Sequence, residues 1–430
     1  MIQQQSALLK RLNLRKNVFF AMGEFAINMA LLFFSYRLII QQGGLEAVGV
    51  WSTLYAWTNL IRLGDAGVAS AAMRFLALWD LTKERERIRA HGETALITNI
   101  VQFGLLALIA YFALSPFTER IVGSAHAVEA ERLMPWLLLG FFLLNVDGTV
   151  LGLLQGLHQG YRRSQLSVLG TIIQLGGVFI FVPELGVIGL AYAQILQHGV
   201  ITLLGWVLVR RKLECGFLPL RFDVRAFHAM LGYSLKAQLV NIANGFVEPV
   251  SKMLVAHFGG MAAQGLFELA YKSVLVPRNF IGAGITATIP AMTSMFQQDK
   301  EELRRVYTSA LRLSVFAMGM AGLVLVIFAP IPSLLWLGRV DTTYWLYVGL
   351  LTVGFFFNVI GIPAYILGMS SGCMLQYNCS PVNSLWAHIN RISHGKYHGK
   401  PWGRYVWCNG NWIERAGNLL YQSQAYLLKS

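Results

Sequence analysis

The chain has 430 residues, of which 55% are hydrophobic and only 13% charged, and it carries a formal net charge of +14. Soluble domains are about one-quarter charged, so the composition excludes an ordinary soluble protein. The positive charge fits the Lys and Arg that collect in the cytoplasmic loops of membrane proteins better than a nucleic-acid surface.

The start, Met1 to Lys16, is polar and basic. The apolar stretch behind it is long enough to stay in a membrane, so no cleavable signal peptide is expected. Ten apolar runs then read as spanning helices: about 17–40, 45–78, 93–115, 132–157, 164–183, 185–209, 230–257, 260–296, 307–330 and 342–370. The fold class predicted is all-α, a polytopic transmembrane bundle. The second and eighth runs exceed what a bilayer needs, at roughly 50 Å of straight helix. Both must bend or project, and Gly64, Gly67, Pro277, Gly282 and Gly284 are the expected bending points.

Basic residues fall in alternate loops. Lys10, Arg11, Arg15 and Lys16 precede the first helix, and Lys83, Arg85, Arg87 and Arg89 follow the second. Arg162 and Arg163 follow the fourth, Arg210, Arg211, Lys212, Arg221 and Arg225 the sixth, and Lys300, Arg304 and Arg305 the eighth. All lie on one side, which places the N-terminus in the cytoplasm.

A shift of 216 residues lays the second run on the eighth. Gly44 meets Gly260, Ala47 meets Ala263, Gly49 meets Gly265, Tyr55 meets Tyr271, Arg62 meets Arg278, and Trp51 falls on Phe267. Six helices separate the copies, an even number, so the halves share one topology about an axis along the membrane normal. An architecture of two six-helix lobes around a cleft follows, the first over residues 1–212 and the second over 213–371 with four of its helices evident, joined by the basic stretch from Val209 to Arg225.

Ionisable residues inside a membrane are costly and mark function by default. Arg62 and Arg278 are expected in mid-helix near the midplane, with Arg37, Lys252 and Lys272 completing a cationic, substrate-binding cleft. An arginine fork suits a phosphate or diphosphate. Glu24, Asp65 and Glu248 are the candidates for ion coupling, to a proton or sodium gradient. Asp65 after Arg62, Glu248 before Lys252 and Glu268 before Lys272 have helix-pairing spacings, so these acids read equally as charge partners. Asp147 is a further acidic member. Trp51, Tyr55, Trp57, Phe267 and Tyr271 suit either sugar stacking or packing, and His91, His158 and His228 read as solvated loop residues. No catalytic triad, nucleotide loop, metal spacing or cofactor motif stands out, which points away from an enzyme.

The basic N-terminus, the Gly44–Gly49 turn into a helix carrying Leu63-Gly64-Asp65-Ala66-Gly67, and the repeated Gly260–Gly265 turn together resemble the polysaccharide transporters. These are Wzx-type O-antigen flippases of the multidrug/oligosaccharidyl-lipid/polysaccharide exporter superfamily, and the resemblance covers about residues 10 to 370. It implies a MATE-like two-lobe fold of twelve helices, ten of them present here, and alternating access. The implied cargo is an undecaprenyl diphosphate-linked oligosaccharide, moved across a bacterial inner membrane, with membrane lipids and other polysaccharide-assembly proteins as partners. After Ser371 the chain departs from that pattern. Residues 372–430 form a polar tail with Cys373, Cys379, Cys408 and four Trp, where a shift of reading frame near codon 370 is favoured over a zinc-binding segment. The rival functions are a drug/cation antiporter of the same fold, a membrane-embedded polysaccharide polymerase or glycosyltransferase, and a sugar symporter.

Overall fold

The structure is a computed structural model, and it describes residues 14–79, 83–232, 234, 246–286 and 300–371. The side chains up to residue 26 and the 372–430 tail lie outside that description. In chain order the helices are α1 (Leu14–Ile61), α2 (Val68–Leu78), α3 (Arg85–Leu114), α4 (Thr118–Val122), α5 (Ala127–Gly156), α6 (Gly160–Leu185), α7 (Val187–Leu213), α8 (Val247–Thr286), α9 (Lys300–Phe328), α10 (Pro330–Leu337) and α11 (Thr342–Ser371). Among the described residues there is no strand, and six helical stretches are long and apolar enough to cross a membrane. The chain is a multi-pass helical membrane protein.

Local signals fix several helix ends. Arg210, Arg211 and Lys212 occupy the last turn of α7, where positive charge offsets the exposed carbonyls. Pro330 starts α10 and Gly338, at φ 70°, stops it, the usual division of labour between those residues. Asp223 accepts backbone N–H groups from Arg225 (2.8 Å) and Ala226 (3.1 Å), capping a helical stretch over 224–232.

The chain divides into two units, Met1–Pro277 with Ala321–Val353, and Arg278–Met320 with Gly354–Ser430. In the first, α2, α3, α5 and α7 share an apolar core that includes Leu76, Ile88, Val150, Leu153, Leu154 and Val209. The opposite face of α3 turns Val101, Leu105, Leu108 and Phe112 outward at helical spacing. A stripe of that kind is a fault in water and is expected against lipid. In the second unit, Gly282 on α8 faces Ile362 on α11, and Gly319 on α9 faces Phe356.

Three expectations change. The first two predicted runs are not separated by a loop: α1 runs for 48 residues and changes direction at Gly44 alone, with φ 68° and ψ −167°. That conformation is open only to glycine, which lets one residue do the work of a loop. The second run is interrupted instead at the glycines named as bending points, by a 3₁₀ turn over Arg62–Gly64 and a left-handed Gly67. Arg62 therefore sits at a helix break rather than in mid-helix. His91, expected in water, is buried, edge-on to Trp79 at 4.6 Å, with Nδ1 2.8 Å from the Arg87 carbonyl.

Candidate functional site

The repeat appears in three dimensions as a crossing of α1 and α8. α8 kinks at Gly260 with φ 79° and ψ 174°, nearly the values of Gly44. Beyond the two kinks the helices touch backbone to backbone. A Cβ on Gly49 would collide with the Met261 carbonyl oxygen, and one on Gly265 with the Leu45 carbonyl oxygen. Leu45 and Met261 are themselves equivalent under the same shift, so each repeat makes the same contact on the other. One turn further on, Trp51 lies against Tyr55 (5.9 Å between ring centroids) and Phe267 against Tyr271 (6.1 Å).

Charges gather beside this crossing. Lys252 on α8 has no exposed surface, and its Nζ lies 2.7 Å from Glu248 Oε1 and 2.8 Å from Glu268 Oε2. Lys272 reaches Glu268 Oε1 at 3.6 Å, and the Tyr36 hydroxyl on α1 donates to the same oxygen at 2.8 Å. The Lys252 ammonium also sits 5.1 Å from the Tyr271 ring centre. Both pairings with Glu248 and Glu268 that the helix spacing allowed are thus made, and Lys252 also reaches Glu268. Two lysines meet two carboxylates, so the group is neutral as a whole. Burial without such partners would cost several kcal/mol per ion.

The other basic candidates keep their charge. Arg37 donates to the Leu335 carbonyl near the C-terminal end of α10, a favourable place for a cation. Arg62 is exposed at the break after α1, and Asp65 does not pair with it; the Asp65 carboxylate accepts the Gly67 N–H at 2.7 Å instead. Arg278, in the second unit, donates through Nε and Nη2 to Asn358 Oδ1 at 3.0 and 2.9 Å, and through Nη1 to Asn279. Amide oxygens orient a guanidinium without neutralising it. The structure thus brings Lys252, Lys272 and Glu248 together and places Arg62 and Arg278 in separate units. Glu24 lies on α1, with its side chain outside the described residues.

Two features were not read from the sequence. Tyr36 as a partner of Glu268 lies 232 residues away, and only the helix crossing joins them. Asp147 on α5 meets His198 on α7 with Oδ2 2.7 Å from Nδ1. The signal for that pair was present, because each is isolated in a long apolar run.

The polar loop between the repeats is also fixed. Glu93, 1% exposed, accepts from Arg89 at 2.7 Å and from the backbone N–H of Arg221 at 3.0 Å, while Thr94 Oγ1 accepts the N–H of Asp223 at 2.9 Å. Arg221 also pairs with Glu86, and Arg85 with Glu214. The basic stretch is thereby held to the start of α3.

Residues 79–339 match a family described as polysaccharide biosynthesis proteins. Among curated proteins, the chain is similar to a probable low-salt glycan biosynthesis flippase, Agl15, of Haloferax volcanii, at 22% identity over 237 residues. That alignment covers 53% of this chain and 48% of the relative, so it spans about half of that protein. Among solved structures, an inward-facing MATE family transporter of the MOP superfamily superposes with a TM-score of 0.71, at 17% identity, over 88% of this chain and 92% of that one. A MOP superfamily transporter from Pyrococcus furiosus gives a TM-score of 0.62 at 18% identity, covering 85% and 83%. The fold is therefore the MATE-type fold of that superfamily.

Proposed function

This chain belongs to the polysaccharide biosynthesis protein family, and we propose that it is a flippase for an anionic, lipid-linked oligosaccharide. In this reading an undecaprenyl diphosphate-linked repeat unit, such as an O-antigen unit, crosses a bacterial inner membrane by alternating access. The N-terminus lies in the cytoplasm, and the lobes are residues 1–212 and 213–371.

The observation that carries the reading is the contrast between the arginines and the lysines. Lys252 and Lys272 are neutralised by Glu248 and Glu268. Arg62 is exposed at a helix break, and Arg278 is oriented by neutral amide oxygens. Both arginines keep a full positive charge and free hydrogen-bonding capacity for a diphosphate, which an arginine binds through paired N–H groups. We assign Arg62 and Arg278 each a role in recognising the anionic cargo, with Arg37 as a weaker contributor and Lys252 and Lys272 as structural partners of Glu248 and Glu268. Of the ion-coupling candidates, Asp65 and Glu248 are occupied by Gly67 and Lys252, and Glu24 keeps that role as an expectation.

The same charges argue against a drug/cation antiporter. A cationic cargo needs an uncompensated carboxylate beside it, and Glu248 and Glu268 already face ammonium groups.

The test is transfer of a fluorescent lipid-diphosphate oligosaccharide between the leaflets of proteoliposomes containing the full chain. Arg62→Ala combined with Arg278→Ala abolishes transfer while the protein stays folded. Transfer at the wild-type rate by that double variant rejects the assignment.

A further inference from the structure

The membrane-crossing parts of α3, α5, α6 and α7 span residues 94–114, 133–156, 164–183 and 187–209. Across all four, the sequence holds two residues of the Asp, Glu, Lys, Arg and His types, and they are Asp147 and His198. These two meet. His198 Nδ1 lies 2.7 Å from Asp147 Oδ2, with the Asp147 side chain 4% and the His198 side chain 12% exposed. His198 is eleven residues into α7, roughly 17 Å along it, and so deep in the bilayer.

A pair of this kind is costly where a Leu–Leu contact would serve packing better. The surrounding polar groups do not explain it. Asn145 returns its amide to the Phe141 carbonyl, Thr149 its hydroxyl to the Asn145 carbonyl, and Asn99 donates to Thr149. Asp147 makes no other ion pair among the described residues. Other charged or titratable residues on elements packed against α5 lie elsewhere along their helices: Arg37 and Glu46 on α1, Arg74 on α2, Arg85, Glu86, Arg87, Arg89, His91 and Glu93 at the start of α3, Glu119 and Arg120 on α4, Arg162, Arg163 and Glu184 at the two ends of α6, and Arg210, Arg211 and Lys212 at the end of α7. Among the described residues, Asp147 and His198 pair with each other and with none of those on α1, α3, α6 and α7.

We propose that Asp147 and His198 form one proton-binding site whose loading and release drives the transport cycle. The inference rests on the flippase reading for its cargo but not for its chemistry. In the unloaded state neutral His198 donates through Nδ1 to the Asp147 carboxylate, and the pair carries one negative charge. One proton taken from water makes it neutral, as imidazolium with carboxylate or as imidazole with carboxylic acid. The proton belongs to the pair rather than to either residue. A single buried charge is therefore created or removed between α5 and α7, which favours different packing of those helices in the two states. Histidine suits the task because one ring nitrogen can take up a proton while the other keeps its hydrogen bond. Sodium does not suit it, because a hard cation takes several oxygen ligands and one of this carboxylate's oxygens already faces an imidazole nitrogen.

The test uses the full chain in proteoliposomes with two readouts. Infrared difference spectra recorded across pH need no glycan. A carboxylate band of this pair responds to pH in the wild type, disappears in Asp147→Asn and moves its midpoint in His198→Gln, and Asp147→Glu keeps a responding band. The second readout is glycan transfer with and without a gradient of one pH unit, which can supply at most about tenfold per proton. The gradient accelerates the wild type and leaves Asp147→Asn and His198→Gln at their gradient-free rates. An infrared titration unchanged by Asp147→Asn overturns the proposal, as does full acceleration in both variants. Acceleration by a sodium gradient that Asp147→Asn removes overturns it in favour of a sodium site. If no variant or wild type moves glycan but the infrared titration behaves as stated, the glycan reading fails and the proton site stands.

Discussion

Gly49 and Gly265 stand 216 residues apart in the chain and face each other's helices in space, each pressed on a carbonyl oxygen of the other repeat. Gly49 meets Met261, and Gly265 meets Leu45, the residue equivalent to Met261. This crossing brings Tyr36 of α1 together with Lys252, Glu268 and Lys272 of α8 in one cluster.

Gly49→Ala and Gly265→Ala each force a carbon onto a backbone oxygen that cannot rotate away. Each is expected to destabilise the protein by about 1–3 kcal/mol, the usual range for overpacking, seen as a lower unfolding temperature in detergent. Gly148→Ala, where a Cβ meets nothing within 4 Å, is the control and does not lower that temperature, since Ala favours the helix over Gly. Equal melting of all three would mean that the helices are not in contact at these glycines.

Lys252→Met leaves Glu248 without its cation and Glu268 with only the longer contact to Lys272. Removing one partner of a buried pair costs about 3–5 kcal/mol. Combining it with Glu248→Gln removes the stranded charge, while Glu268 keeps Lys272, and should recover most of the loss. Thermal unfolding of the single and double variants checks the direction, and a double variant less stable than the single one would show that Lys252 is not held by Glu248.

Glu93→Ala takes away the acceptor that holds the Arg221 backbone and the partner of Arg89. The stretch around Arg221 and Arg225 should then open to trypsin, with cleavage several-fold faster than in the wild type while the membrane-spanning helices stay protected. Time courses read by mass spectrometry decide this, and an unchanged cleavage rate would place the restraint elsewhere.

Asp223 lies outside the spanning segments. The N–H groups of Ala226 and Arg225 hold its carboxyl below the usual range. A depressed folded value means that the stabilisation is fully present above the unfolded value of about 4 and is lost as pH falls through the folded one. Asp223→Ala should therefore melt below the wild type at pH 7, and the gap should close as the pH is taken under about 4. A gap that stays constant with pH would deny the carboxylate its capping role.

Helix existence and the repeat were legible in the sequence, because apolar length and spaced glycines are local signals. The single-residue kinks were not, since Gln41 to Gly44 reads as a loop and only backbone angles reveal that Gly44 suffices. The pairings of Lys252 and Lys272 with Glu248 and Glu268 followed from helix spacing, although their burial did not. Asp65 escaped the same rule because the helix ends before it, at Ile61, and a broken helix offers a free N–H that competes with Arg62. Asp147 was visible as an isolated acid, but its partner sits 51 residues away on another helix. Nothing local in His198 points across that distance.

The reciprocal glycine contact has the geometry of a dimer interface. An interface in which a patch meets its own copy is isologous, and a protein of one repeat would form this contact as a homodimer. There, any substitution is made twice at once, and a polar residue introduced on one side faces itself. Duplication and fusion remove that restriction. Val48 and Gln264 are equivalent positions, as are Ser52 and Glu268, yet Gln264 donates to the Ser52 hydroxyl at 3.1 Å while Glu268 binds lysines. With the two halves in one chain, each side of the crossing carries chemistry that a symmetric homodimer could not hold.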